Sequence, residues 1–163
     1  CDGKDTPEDM VLEAISRGMK KIGFSGHSYT SFEPHVCMTP ENIAEYKAEI
    51  NRLKGKYKSQ IEILCGIEQD YYSDFPAEGY DFVIGSLHYV TCGGEYIAVD
   101  HTFQHFEEAV KKFDGDVYNL IENYFAVHFF YSFYLLLPNS RKVEIPMLRG
   151  SIGILLFVWN SFV

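Results

Sequence analysis

Twice the chain runs through the same order: a Thr-Pro-acidic start, an apolar stripe at helical spacing, and a short apolar run that leads to an ionisable side chain. Thr6-Pro7-Glu8-Asp9 offers a hydroxyl to cap a helix, a proline suited to its first turn, and acids that favour the positive end of the helix dipole. Met10, Val11, Ala14 and Ile15 form the inward stripe, so a helix is expected over 7–17, stopped by Gly18. An apolar strand over 21–25 follows and leads to Gly26-His27-Ser28. Thr39-Pro40-Glu41-Asn42 then opens a second helix, with Ile43, Tyr46, Ile50 and Leu53 inward and Gly55 as its expected end. A second strand over 61–67 delivers Glu68 at its C-terminal end, and a third over 80–86 delivers His88.

Cys92-Gly93-Gly94-Glu95 is expected to turn a hairpin between 87–91 and 96–99, because paired glycines accept positive φ without steric cost. Asp100 follows the returning strand. Two more helices are expected over 103–113 and 117–125, broken at Asp114-Gly115-Asp116. Strands alternating with helices, with polar residues waiting at strand ends, describe an α/β domain whose parallel strands line a common site. No linker interrupts residues 1–125.

His27, Glu68 and His88 each fall just beyond a separate expected strand, with a glycine one to three residues before them. In a parallel sheet or barrel such positions converge on one face. Two imidazoles and a carboxylate make a mixed nitrogen and oxygen site suited to zinc, iron or manganese. Taken singly, each has a plainer reading as a solvated or hydrogen-bonded residue. His101 and His105 are four apart near a helix start, a spacing that can chelate a metal, yet Phe103 and Phe106 favour an amphipathic helix with solvated imidazoles. Asp100 either accepts a hydrogen bond from a cationic substrate or caps the following helix.

Several classes of function are excluded. Acids outnumber bases by 23 to 14, for a formal charge of -9, so the basic footprint that nucleic acid demands is missing. No glycine-rich loop opens a helix to cradle a phosphate, and no Gly-x-Ser-x-Gly elbow is present. Cys1, Cys37, Cys65 and Cys92 are too widely spaced for a CxxC motif and read as reduced thiols of a cytoplasmic protein. The residues from 126 onward change character: Glu144 is their one acid, against Arg141, Lys142 and Arg149. The apolar runs there, 124–137 and 152–163, are shorter than the roughly 18–20 residues that span a bilayer, so no membrane partner is expected.

Ile22-Gly23-Phe24-Ser25-Gly26-His27-Ser28, Gly66-Ile67-Glu68-Gln69-Asp70-Tyr71-Tyr72 and Val83-Ile84-Gly85-Ser86-Leu87-His88-Tyr89 together resemble histidinol-phosphate phosphatases of the polymerase-and-histidinol-phosphatase (PHP) superfamily. The likeness covers residues 1–125 and keeps the motifs in the expected order. It implies a distorted (β/α)7 barrel, present here in part, with two or three divalent ions (Zn, Mn or Fe) at the C-terminal ends of its strands. The implied reaction is hydrolysis of L-histidinol phosphate in histidine biosynthesis. His27, Glu68 and His88 become metal ligands by this likeness, with Glu68 able to bridge two ions; Glu68 and His88 are the expected catalytic residues, and Asp100, from its place after the hairpin, is the expected substrate contact.

The family's His-x-His motif, its later ligands and its phosphate-holding arginines find no counterpart in the matching region. Residues 126–163 resemble nothing in the family and read as an out-of-frame or chimeric end. The expectation is therefore an incomplete copy of the enzyme, either active in a longer chain or an inactive remnant that binds a metal or a protein.

Overall fold

The computed structural model describes residues 3–136, with side-chain surroundings for 3–126. It divides into two units, one ending at Ser86 and the other beginning at Leu87. The first is mixed α/β: α1 (Pro7–Ser16), β1 (Lys21–His27), α2 (Pro40–Tyr57), β2 (Glu62–Asp70) and β3 (Phe82–Ser86). The strands form a parallel sheet in the order β1-β2-β3.

Both helices begin where their threonines predict. Thr6 accepts from the Asp9 amide at 3.1 Å and Thr39 from the Asn42 amide at 3.3 Å. Helix α1 closes with amide bonds from Gly18 to Ile15 and from Met19 to Ala14, the paired pattern of a Schellman end. Val11 and Ala14 of α1 and Ile50, Leu53 and Tyr57 of α2 pack with Phe24, Ile61, Ile63 and Cys65 into one apolar core. Val11, Ile50 and Leu53 have no exposed surface, and burial of such a side chain contributes about 1.5–3 kcal/mol.

Gly55 does not end α2, which continues to Tyr57. Glycine inside a helix costs about 1 kcal/mol. That cost is offset because the last turn places Tyr57 in the core and carries two of the three groups that hold Glu8. Tyr57 donates its hydroxyl to Glu8 at 2.7 Å, Lys56 donates its ammonium at 2.5 Å, and Arg52 reaches the other carboxylate oxygen at 2.7 Å. The bonds from Lys56, Tyr57 and Arg52, in that order of effect, lower the Glu8 pKa from 4.5 to about 2. Because the folded value lies below the unfolded one, the stabilisation is present above pH 4.5 and is lost as pH falls toward 2. Acid titration followed by circular dichroism should show Glu8→Gln less stable than the parent near neutrality, with the difference shrinking through that window.

β1 and β2 are longer at their C-terminal ends than the apolar runs suggested. His27 and Glu68 lie inside strands rather than beyond them. The reason is pairing: His27 is opposite Glu68, and Glu68 is opposite Ile84, so neighbouring backbone carries both strands onward. At the start of β3, Asp81 adds a further link to the β2–β3 ladder. Its carboxylate accepts from the Cys65 amide at 2.6 Å, its own amide donates to the Cys65 carbonyl at 2.7 Å, and Lys54 pairs with the same carboxylate. Burial pushes the Asp81 carboxyl up, but the Lys54 ammonium and the Cys65 amide outweigh it and hold the pKa below its usual value. Asp81→Ala leaves the amide of buried Cys65 without this acceptor. The expected loss is about 1–3 kcal/mol, measured as a lower urea midpoint.

The second unit holds β4 (Tyr89–Cys92), β5 (Glu95–Ala98), α3 (Phe103–Lys112) and α4 (Val117–Leu136). β4 and β5 pair antiparallel around Gly93 and Gly94, whose φ values of 60° and 85° are those the hairpin turn requires. Val90, Ala109, Phe113 and Leu120 form the core of this unit. α4 runs past residue 125, beyond the helix end expected there. Among the described residues no helix is long and apolar enough to cross a membrane. The 152–163 run lies outside the described residues.

Candidate metal centre

Alternation along the strands sorts the first unit's sheet into two faces. Phe24, Ile63 and Cys65 join the helices in the core. By the same alternation Ser25 and His27 of β1, Gly66, Glu68 and Asp70 of β2, and Phe82, Ile84 and Ser86 of β3 share the opposite face, in matching register. His27 Nδ1 stands 3.6 Å from Glu68 Oε1, with both side chains about one-quarter exposed.

That separation is long for a hydrogen bond. Two donors bonded to one cation at about 2.1 Å in tetrahedral geometry stand roughly 3.4 Å apart. The imidazole and carboxylate therefore fit a shared divalent cation in spacing and in donor type. Zinc, iron and manganese accept such a mixed set, whereas calcium prefers oxygen alone. On the same face Ser86, opposite Asp70, has a buried hydroxyl oxygen with no hydrogen-bond partner among the described residues, an orphaned polar atom suited to a polar occupant.

Backbone bonds at this edge hold the pair in place. Ser28 donates its amide to the Glu68 carbonyl at 2.8 Å, and its hydroxyl accepts from the Asp70 amide at 2.9 Å. Tyr46 of α2 sets its hydroxyl 2.7 Å from the Phe24 carbonyl and 2.9 Å from that of Gly66, tying helix to sheet behind the pair. Burial pushes the Tyr46 hydroxyl pKa well up, so it remains a neutral donor. The loops that leave β1 and β2 are joined as well: Asp74 accepts from the Ser31 amide at 2.6 Å and donates its own amide to Tyr29 at 3.0 Å.

Close approach explains two of the glycines near these motifs. A Cβ on Gly66 would lie 2.2 Å from the Phe82 ring, and one on Gly23 would lie 2.9 Å from it. The ring of Phe82 thus lies across the backbone of β2 and β1, on the face that carries His27 and Glu68.

Asp70 is the residue that sequence reasoning passed over. It is 4% exposed, it accepts from the Tyr72 amide at 2.7 Å, and it shares the face of Glu68 two residues on. The available signal was the Asp-x-Tyr turn, in which an aspartate closes on the amide two residues ahead.

His88 and Asp100 belong to the second unit. His88 Nε2 lies 3.9 Å from Asp100 Oδ2, with the histidine side chain 22% exposed and the aspartate 54%. Hydrogen bonding from the Val99 amide to the His88 carbonyl at 3.0 Å extends the hairpin to these residues. Of the two roles weighed for Asp100, helix capping is taken by Thr102, whose hydroxyl accepts from the His105 amide. Cys37 and Cys65 are buried free thiols and Cys92 is half-buried. Burial raises the Cys65 thiol, which suits a packing role.

Comparison with known proteins places the chain. The model of the PHP domain family matches residues 1–135. A histidinol-phosphatase of Lactococcus lactis is 30% identical over 120 residues, which cover 69% of this chain and 44% of that protein. A histidinol-phosphatase of Bacillus subtilis is 27% identical over 138 residues, covering 74% of this chain and 51% of the relative. The crystal structure of a Listeria monocytogenes protein assigned as a histidinol phosphatase has the same fold over 65% of this chain and 47% of its own, with a TM-score of 0.54 at 21% identity. The chain spans about half the length of the curated relatives it matches. With more than half of its residues matched by the family model, the chain belongs to the PHP domain family.

Proposed function

We propose that the protein is a metal-dependent phosphomonoester hydrolase that converts L-histidinol phosphate to L-histidinol and phosphate in the cytoplasm. The observation that carries this reading is the His27–Glu68 pair, an imidazole and a carboxylate 3.6 Å apart at the C-terminal edge of a parallel sheet. The names of the Lactococcus and Bacillus relatives support the substrate. In this reading the three parallel strands belong to a distorted (β/α)7 barrel, and residues 1–125 are its phosphatase part.

By the resemblance of Val83-Ile84-Gly85-Ser86-Leu87-His88-Tyr89 to the family's motif, His88 is a further ligand. The three are half-buried donors of the types that hold a divalent ion. Such an ion, when bound, supplies Lewis-acid charge that neutralises phosphoryl oxygens and acidifies a water.

The chain's own residues do the rest. Glu68 and His27 present their donors from adjacent strands whose register prevents either from sliding. The half-exposed Asp100 carboxylate offers an acceptor to a cationic group, which histidinol phosphate carries as an amine and an imidazole. Phe82 shields one side of the sheet face from water.

A second reading is a PHP module that binds a metal or a protein without turnover. The deciding experiment adds Zn2+, Mn2+ or Fe2+ to the purified chain and measures both bound metal and phosphate released from L-histidinol phosphate. Release that EDTA abolishes supports the hydrolase. Metal bound without release supports the module, and neither binding nor release defeats both readings.

A further inference from the structure

We propose that His101 and His105 form a second cation site, at the start of α3, that takes a transition ion such as Ni2+, Cu2+ or Zn2+. The site uses neither His27 nor Glu68.

The local fold makes the pair. Thr102 caps α3 in an extended conformation (φ -145°, ψ 163°), so the chain enters the helix with His101 just outside it and His105 in its first turn. The two rings stand 5.1 Å apart between centres, at 69° to each other. Two imidazoles that share one tetrahedral ion through nitrogens at about 2.1 Å have ring centres roughly 5 Å apart. The observed centre-to-centre spacing matches what a shared ion requires.

The second ring nitrogen of His105 is already engaged. Its Nδ1 lies 2.7 Å from Thr102 Oγ1, which fixes the ring and directs Nε2 away from the cap. Histidine ligands almost always have their other nitrogen hydrogen-bonded in this way, which orients the ring and fixes its tautomer. On metal binding at Nε2 the proton resides on Nδ1 and the threonine oxygen accepts it. The same hydroxyl oxygen accepts from the His105 amide at 3.2 Å, so one side chain sets both the helix start and the ring.

The donor set selects the ion class. Two imidazoles, completed by water, favour borderline transition ions over calcium or magnesium, which take oxygen ligands. His101 is exposed and His105 half-buried, so an ion reaches them from solvent. The positive end of the α3 dipole opposes a cation by roughly fivefold in affinity. The net charge of -9 acts in the other direction.

The test is a Ni2+ titration of the 163-residue chain by calorimetry, with Cu2+ electron paramagnetic resonance to count nitrogen donors. In a His27→Ala/Glu68→Ala background, one ion should still bind, with two imidazole nitrogens coupled to copper. Adding His105→Ala or His101→Gln should weaken that binding at least tenfold while far-UV circular dichroism stays unchanged. Thr102→Ser, which keeps the hydroxyl, should retain it. The proposal is overturned if the double variant binds no ion, or if the His101 and His105 substitutions leave the affinity and the copper spectrum as they were.

Discussion

On the proposed function, Glu68→Ala is expected to lower metal-dependent release of phosphate from L-histidinol phosphate by about 10²–10³-fold, the scale on which removing one preorganised electrostatic contact slows an enzyme. His27→Ala should act in the same direction, since each removes one member of a pair that stands 3.6 Å apart. Uncatalysed hydrolysis of phosphate monoesters is among the slowest reactions known, so most of the barrier reduction has to come from charge placed at the phosphoryl group. Neither substitution should unfold the unit. Both side chains are half-buried on the sheet face opposite the α1–α2 core, and neither belongs to that core. The measurement pairs phosphate release with metal content and far-UV circular dichroism. Undiminished turnover in both variants would remove the pair from the mechanism, whereas loss of turnover with loss of helicity would reassign it to folding.

Gly66→Ala should be the most destabilising single methyl that can be added to the first unit. The new Cβ would meet Phe82 Cζ at 2.2 Å and two further ring atoms at 2.5 Å, far inside van der Waals contact. Gly66 is on the central strand, so neither its backbone nor that of its two neighbours can retreat without breaking the ladders. Overpacking of this kind costs about 1–3 kcal/mol and occasionally more. The upper end corresponds to a drop in melting temperature of about 10 °C or more for a unit this small. Phe82→Leu in the same chain should restore most of the loss, because the clash is with the ring. A double-mutant cycle in urea measures this, with a coupling energy above about 1 kcal/mol expected. Additive losses would show that the ring is not what excludes the methyl.

Local chemistry was largely readable where a residue acts on its own backbone. Thr6 and Thr39 each cap the helix that follows, and Gly93-Gly94 turns the hairpin, whereas the cap of the third helix is Thr102 rather than Asp100. The apolar runs located all three parallel strands. Their C-terminal limits were not readable, because whether His27 and Glu68 continue a strand depends on a neighbour offering its amides and carbonyls in register. Gly55 misled for a related reason. Its intrinsic cost is real, but the turn it sits in is held by Leu53, Lys56 and Tyr57 through partners far away in sequence.

Glu8, expected only as a first-turn acid of α1, and Asp81, to which the sequence assigned no role, are tie points. Glu8 joins α1 to the end of α2, and Asp81 joins the start of β3 to Cys65. Composition carries no sign of either, since each depends on groups brought near by the chain's path.

The order of residues alone therefore determined the existence of these elements, the first two helix caps and the parallel α/β character. These follow from short-range forces: dihedral preference, capping and the burial of a periodic apolar face. Only the tertiary structure decided that His27 meets Glu68 at 3.6 Å, that the Phe82 ring closes the space a Cβ at 66 would need, and that the His101 and His105 rings stand 5.1 Å apart. Those are distances between side chains, and a distance is set by strand register and helix geometry rather than by the identity of any one residue.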